Sequence, residues 1–332
     1  MTVSRAPSLP DWVLGAENLG AVGGAPYVLV ELEGDEPLDW SPGAHPVVMI
    51  GVHPPGSADT IAPDHPCDVV LAADDPLLDV VIHNVEAHPI AATSLAVLLR
   101  QFPHRGIELG LAAESAVYSM LQAGPEFAAW LQTRPPPQTS VRDEQPVRTE
   151  RHGNRLIVTL NRPRRHNAVN EPLRAALADA LSVAVVDESV TVELRGAGPS
   201  FSSGGDLAEF GTFPDPATAH VSRLTRSPGR LVGLLGPRCT AFLHGACMGA
   251  GIEISAFAGR VVADPDAVIS LPELGIGLIP GAGGTVSISA RIGRHRAALM
   301  ALSTRSVPAS TALEWGLVDD LDSVAPNDSL VG

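Results

Sequence analysis

The chain has 332 residues, 45 % of them hydrophobic, 4 % aromatic and 18 % charged, with a formal net charge of −15. This is enough apolar side chain for one large or two ordinary domains, with an interior built mainly from Ala, Val, Leu and Ile. All 22 basic residues are Arg, which excludes Schiff-base and PLP-lysine chemistry and a Walker-type phosphate lysine. The acidic balance, without a basic run, argues against nucleic acid or an anionic membrane as partner.

Any phosphate on a ligand must therefore be met by Arg, backbone N–H or a helix N-terminus. Cys67, Cys239 and Cys247 form no Cys-x-x-Cys and no disulfide framework, as in a reducing compartment. The start lacks an apolar signal core, and no run of ~18 apolar residues occurs, so the expectation is a soluble cytoplasmic protein.

Residues 1–75 are rich in Pro and Gly and read as irregular, with short strands at Tyr27–Glu31, 46–51 and 68–72. Residues 76–133 read as helical, at 77–87, 89–101, 109–123 and 125–131. The Pro-rich, charged stretch 134–150 reads as an extended linker. Beyond it, in 151–332, strand and helix patterns alternate. Strands are expected at Arg155–Leu160, 190–194, Cys239–Leu243, Arg260–Ala263 and 267–270. Helices are expected at 172–186, at 216–235 with a break at Pro228-Gly229, and at 249–258, 283–292, 294–302 and Ala309–Trp315. Alternating βα units predict an α/β fold with a mostly parallel sheet. No internal repeat of 20–50 residues is visible.

Two small-residue turns stand out, Phe201-Ser-Ser-Gly-Gly-Asp206 and His244-Gly-Ala-Cys-Met-Gly-Ala-Gly251, each able to aim backbone N–H groups into a cleft. Glu253 follows the second turn and Glu273 lies in Leu271-Pro-Glu273. A Glu on a helix is normally a solvated charge. Glu253, however, sits among Gly251, Ile252, Ile254, Ser255 and Ala256, which suggests a buried carboxyl in need of a reason. Runs such as Gly281-Ala-Gly-Gly284 are ordinarily close-packing sites, and the glycine spacings do not fit a dinucleotide fingerprint. There is no Gly-x-Ser-x-Gly elbow and no cluster with metal-ligand spacing. Asp206 reads as ordering its own turn, and His244 as a packed strand-end residue.

Together with Asn161-Arg-Pro-Arg-Arg-His-Asn-Ala168, Pro280-Gly-Ala-Gly-Gly-Thr285 and Ala312-Leu-Glu-Trp-Gly-Leu-Val318, these stretches resemble the crotonase (enoyl-CoA hydratase/isomerase) superfamily over roughly 151–322. The resemblance implies a crotonase-like ββα spiral core, and a CoA thioester carbonyl held by the N–H groups of Gly205 and Ala250. Ala250 stands where the family usually has Gly, which leaves the N–H in place and narrows the pocket. Pre-aimed donors stabilise an enolate oxygen without reorganisation, each worth ~3 kcal/mol. Glu253 and Glu273 match both glutamates of the hydratase branch, one taking a proton from water and the other protonating C2, whereas isomerases often lack the first. The same resemblance puts Arg165, His166, Ala168, Ser203, Gly204, Asp206, Leu207 and Gly249 at the substrate and CoA contact, though His166 could equally lie in a solvated loop.

No cofactor is expected beyond the coenzyme A of the substrate, and the expected assembly is a homo-oligomer, trimer or hexamer. Family members continue past the Gly-Leu-Val region with helices that close the site. Here His88-Pro-Ile-Ala-Ala-Thr-Ser-Leu95, Leu111-Ala-Ala-Glu-Ser115 and Gly124-Pro-Glu-Phe127 resemble that segment. The expectation is a helical cap supplied ahead of the core, in circularly permuted order, with an unrelated helical domain as the alternative. The leading activity is hydration of a 2-enoyl-CoA. Alternatives are a crotonase-type isomerase or hydrolase, or a non-catalytic acyl-CoA-binding subunit.

Overall fold

The computed structural model describes residues 3–5, 25–32, 43, 45–57, 62–101, 106–134, 145–213 and 215–325. In chain order, the first elements are β1 (Val3–Arg5), β2 (Tyr27–Glu31), β3 (Val48–His53) and β4 (Val69–Ala72). Four helices follow, α1 (Pro76–Ala87), α2 (Pro89–Arg100), α3 (Ile107–Gln122) and α4 (Pro125–Thr133). Next come β5 (Val147–His152), β6 (Arg155–Leu160), α5 (Glu171–Val186), β7 (Thr191–Gly196), α6 (Pro216–Thr225), α7 (Pro228–Leu235), β8 (Cys239–Leu243) and β9 (Ala246–Met248). The remainder is α8 (Ala250–Ser255), β10 (Arg260–Ala263), β11 (Val268–Ser270), α9 (Gly284–Ser303, broken at Gly293), β12 (Val307–Pro308), α10 (Ala309–Trp315) and β13 (Asp320–Leu321).

The sheets explain why this order makes a spiral. One has strand order β13-β10-β8-β7-β6-β5, parallel except for β5 against β6; a smaller one has order β12-β11-β9. The chain leaves β8 at Leu243, turns at His244-Gly245 and enters the other sheet at Ala246. It repeats the step from β10 to β11. The bridges Ser202↔Cys247 and Val169↔Gly205 extend the smaller layer toward the 203–206 turn. Each winding thus delivers its turn to one edge of the molecule.

The short strands expected within 1–75 correspond to β2, β3 and β4, and with β1 they form a parallel four-stranded sheet in sequential order. One expectation is corrected. Of the expected linker 134–150, residues 135–144 lie outside the described residues, and 147–150 belong to β5. That strand is polar because it is an edge strand, whose backbone pairing needs no buried face.

Helices α1 to α4 pack onto the spiral rather than standing apart from it. One contiguous apolar cluster runs from Leu29 and Val85 through Phe127 to Leu243 and Val318. Asn84 Nδ2 donates to the carbonyls of Leu302 and Ser303 at 2.8 and 3.0 Å, capping the C-terminus of α9. Glu126 accepts from the Ile90 and Ala91 amides at 2.7 and 3.0 Å, capping α2. Buried Asp68 is gripped by Arg100 at 2.6 Å, with Arg294 of α9 at 3.6 Å, so the N-terminal sheet is locked to both α2 and α9.

Candidate active site

The two small-residue turns meet. A Cβ on Gly204 would lie 2.9 Å from the Met248 carbonyl oxygen, and a Cβ on Gly249 would lie 3.7 Å from the Gly204 Cα. Both glycines have positive φ, 90° and 46°. Glycine is needed there because backbone passes against backbone in conformations L side chains avoid. The Ser202 amide donates to the Ala246 carbonyl at 3.0 Å and the Met248 amide to the Ser202 carbonyl at 2.9 Å, which stitches the turns together. Among the described residues, neither the Gly205 N–H nor the Ala250 N–H has an acceptor. Both residues line a cavity of about 420 Å³, within the size range of small-molecule sites.

Glu253 projects into the same cavity from α8, 1 % exposed. Its Oε2 accepts from the amides of Ala282 and Gly284 at 2.7 and 2.8 Å. Burial, the Glu273 charge and the Glu114 charge push its carboxyl well above the ordinary range, against the pull of those two amides. Glu273 opens the short turn after β11 and also lines the cavity. Its Oε2 is buried with no hydrogen-bond partner among the described residues. Its Oε1 sits where a Gly249 Cβ would be, 2.2 Å away, so this carboxyl lies directly over the Gly249-Ala250 turn. Burial and the Glu114 charge raise it to about 8. Burial and mutual repulsion thus favour keeping a proton on this pair of carboxyls, against the two amides that favour the ionised form of Glu253.

A third carboxyl went unassigned in the sequence. Glu114 of α3, 1 % exposed, lines the cavity and accepts from the Gly283 amide at 2.7 Å and from Thr285 N–H and Oγ1 at 2.9 and 2.6 Å. Burial outweighs those donors and lifts it to about 7. The available signal was an acidic residue on an otherwise apolar helix stripe, Leu111, Glu114, Ser115, Tyr118 and Leu121.

The rest of the wall comes from two sources. The stretch 210–227 contributes Phe210, Phe213, Ala219 and Arg223 among others. Helices α3 and α4 contribute Leu111, Ser115, Tyr118, Phe127 and Leu131. Phe127, Trp130 and Phe210 form an aromatic group with centroids 5.5–6.5 Å apart. Tyr118 presses so closely on Gly281 that a Cβ there would lie 2.5 Å from its ring. Arg223 stacks over Tyr118 at 4.8 Å and donates to Ser115 Oγ and Gln122, tying α6 to α3.

Of the other residues singled out, Asp206 lines the cavity edge, accepts from the Ala208 amide and pairs with buried Arg162 at 3.0 Å, so it orders its turn. Arg165, His166, Ala168, Ser203, Gly204, Leu207 and Gly249, expected at the substrate contact, are not among the residues that line the cavity. The Ser203 amide donates to the His166 carbonyl and the Val169 amide to the Gly204 carbonyl. His166 is exposed, with Nδ1 2.9 Å from Ser200 Oγ. His244 is buried at the strand end, with Nε2 2.8 Å from the Gly198 carbonyl.

The family profile described as enoyl-CoA hydratase/isomerase matches residues 150–332, more than half of the chain. The chain belongs to the enoyl-CoA hydratase/isomerase family. It is 36 % identical over 174 residues to 2,3-dehydroadipyl-CoA hydratase of Escherichia coli K12, covering 52 % of this chain and 66 % of that protein. It is 33 % identical over 175 residues to mevalonyl-coenzyme A hydratase SIDH of Beauveria bassiana, covering 50 % of this chain and 62 % of that protein. The match thus spans less than two thirds of either relative. The crystal structure of enoyl-CoA hydratase from Thermoplasma volcanium GSS1 superposes with a TM-score of 0.50 at 35 % identity, covering 54 % of this chain and 72 % of that one. The fold is α/β with crotonase-fold neighbours. No helix among the described residues is long and apolar enough to cross a membrane.

Proposed function

We propose that this chain adds water across the double bond of a 2-enoyl-CoA. One observation carries the reading: two carboxyls, Glu253 and Glu273, share a buried cleft with two unengaged backbone N–H groups, those of Gly205 and Ala250.

In this reading the thioester carbonyl accepts from both amides, and Glu253 takes a proton from water as its oxygen bonds to C3. The π electrons of the double bond move onto the thioester oxygen, giving an enolate held by the two donors. The enolate collapses as C2 takes a proton from Glu273, and proton exchange with solvent resets the pair. Glu273 Oε2, with no hydrogen-bond partner among the described residues, is the atom left to face C2. General acid–base steps of this kind are each worth ~100- to 10,000-fold. We further take helices 76–133 as the cap over the cleft, in circularly permuted order, supported by the cavity wall that α3 and α4 supply. The two relatives' names carry different acyl groups, so family membership leaves the acyl chain open.

The test is a screen of crotonyl-CoA and longer or substituted enoyl-CoAs by loss of enoyl absorbance. Glu253→Gln and Glu273→Gln should each lose at least ~100-fold in turnover while CoA binding persists. Unchanged turnover in both variants, or an active protein that only isomerises or hydrolyses acyl-CoAs, would refute the hydratase reading.

A further inference from the structure

The turn that opens α9 is gripped by two carboxylates in alternation. The Ala282 and Gly284 amides donate to Glu253 at 2.7 and 2.8 Å, and the Gly283 and Thr285 amides donate to Glu114 at 2.7 and 2.9 Å. The four amides are consecutive along the chain and alternate between the two carboxyls, so fixing one pair fixes the direction of the other. Both bonds to Glu253 fall on Oε2. That oxygen is held by the protein, and the second oxygen is left for chemistry in the cleft. A cap alone would not require a charge-bearing group here, because a neutral oxygen satisfies a helix N-terminus about as well. Burying a carboxylate costs several kcal/mol unless its oxygens are fully bonded. Glu114 offsets part of that cost with three donors, all of them on Gly283 and Thr285.

We propose that Glu114 is a positioning residue of the active site: by holding Gly283 and Thr285 it sets the turn whose other two amides aim the Glu253 carboxylate. A residue of α3, outside the 150–332 stretch that the family profile matches, thereby completes the catalytic arrangement. The proposal rests on the reading of Glu253 as the group that takes water's proton. Glu114 itself need not touch substrate; it acts through the two amides and the hydroxyl that it holds.

The test uses the full chain with Glu114→Gln, which keeps shape but can accept on one side only, and Thr285→Val, which removes the hydroxyl donor alone. Misplacing a catalytic group by ~1 Å can cost ~100-fold. Glu114→Gln should therefore lower kcat by ~10- to 100-fold with KM changed by less than about threefold, and Thr285→Val should lower kcat in the same direction by a smaller factor. Amide hydrogen exchange supplies a readout independent of activity. The Ala282 and Gly284 amides, which never contact Glu114, should lose at least ~10-fold in protection in Glu114→Gln while amides of β8 and β10 keep theirs. Retained protection at those two amides, or a kcat within twofold of the parent, would overturn the proposal. So would a loss of protection spread evenly over α9 and the six-stranded sheet, which signals a structural role only. A parent protein that hydrates no enoyl-CoA would instead refute the hydratase reading, and the exchange data would still decide whether Glu114 governs the donors to Glu253.

Discussion

Replacing Gly249 by Ala tests the geometry of the cleft more sharply than replacing either acid. The added Cβ would lie 2.2 Å from Glu273 Oε1, where ordinary contact begins at 3.4 Å, so the carboxyl or the turn must give by roughly 1 Å. The backbone there has φ 46° and ψ −123°, a conformation open essentially to glycine alone, and forcing an L side chain into it costs ~1–3 kcal/mol. The displaced carboxyl is the one read as the proton donor to C2, and the strained turn carries the Ala250 N–H. Turnover should accordingly fall by ~100-fold, and thermal melting should drop by several degrees. The assay is enoyl absorbance at saturating substrate alongside a melting curve. Gly275→Ala serves as control, since no atom lies within 4 Å of its added Cβ, and its stability should stay within ~0.5 kcal/mol of the parent. A Gly249→Ala protein with parental turnover would show that the Glu273 carboxyl and this turn are not set against each other as described.

Stability should respond to pH in a specific direction. The Glu114 and Glu273 carboxyls bind protons more tightly folded, at about 7 and about 8, than an ordinary glutamate at 4.5. Between about 4.5 and about 8 the native state thus holds more protons than the unfolded one, so stability falls as pH rises through that window. Melting temperature should decline from pH 5 to pH 8, and the slope should flatten in Glu273→Gln; a flat parental profile would contradict the buried carboxyls. At the other end of the molecule, Arg100→Met strands Asp68, which is 1 % exposed, and should cost ~3–5 kcal/mol in a denaturant titration. A loss below ~1 kcal/mol would mean that Arg294 and the Met49 amide suffice to hold Asp68.

What was readable from the chain divides along a physical line. Elements with a full period of apolar pattern announced themselves: Tyr27–Glu31, Arg155–Leu160, Cys239–Leu243 and Arg260–Ala263 are strands with the expected bounds. The helices of 76–133 and the break between α6 and α7 were equally visible, because Pro and Gly punctuate them. Ala246–Met248 was not, since three residues between two glycine turns carry no periodicity. Val147–His152 was not either, because its polar residues make an edge strand through backbone pairing alone.

At the site, the sequence by itself determined which residue types were available: two N–H-presenting turns, and Glu253 in a run too apolar for a surface helix. Local chemistry and chain order suffice for that. Only the tertiary structure decided that Glu114, 139 positions before Glu253, shares its turn. It alone decided that the Glu273 carboxyl rests on Gly249, and that α3 and α4 wall the cleft. Those relations depend on which surfaces pack against each other, and packing of distant segments leaves no periodic trace in the order of residues.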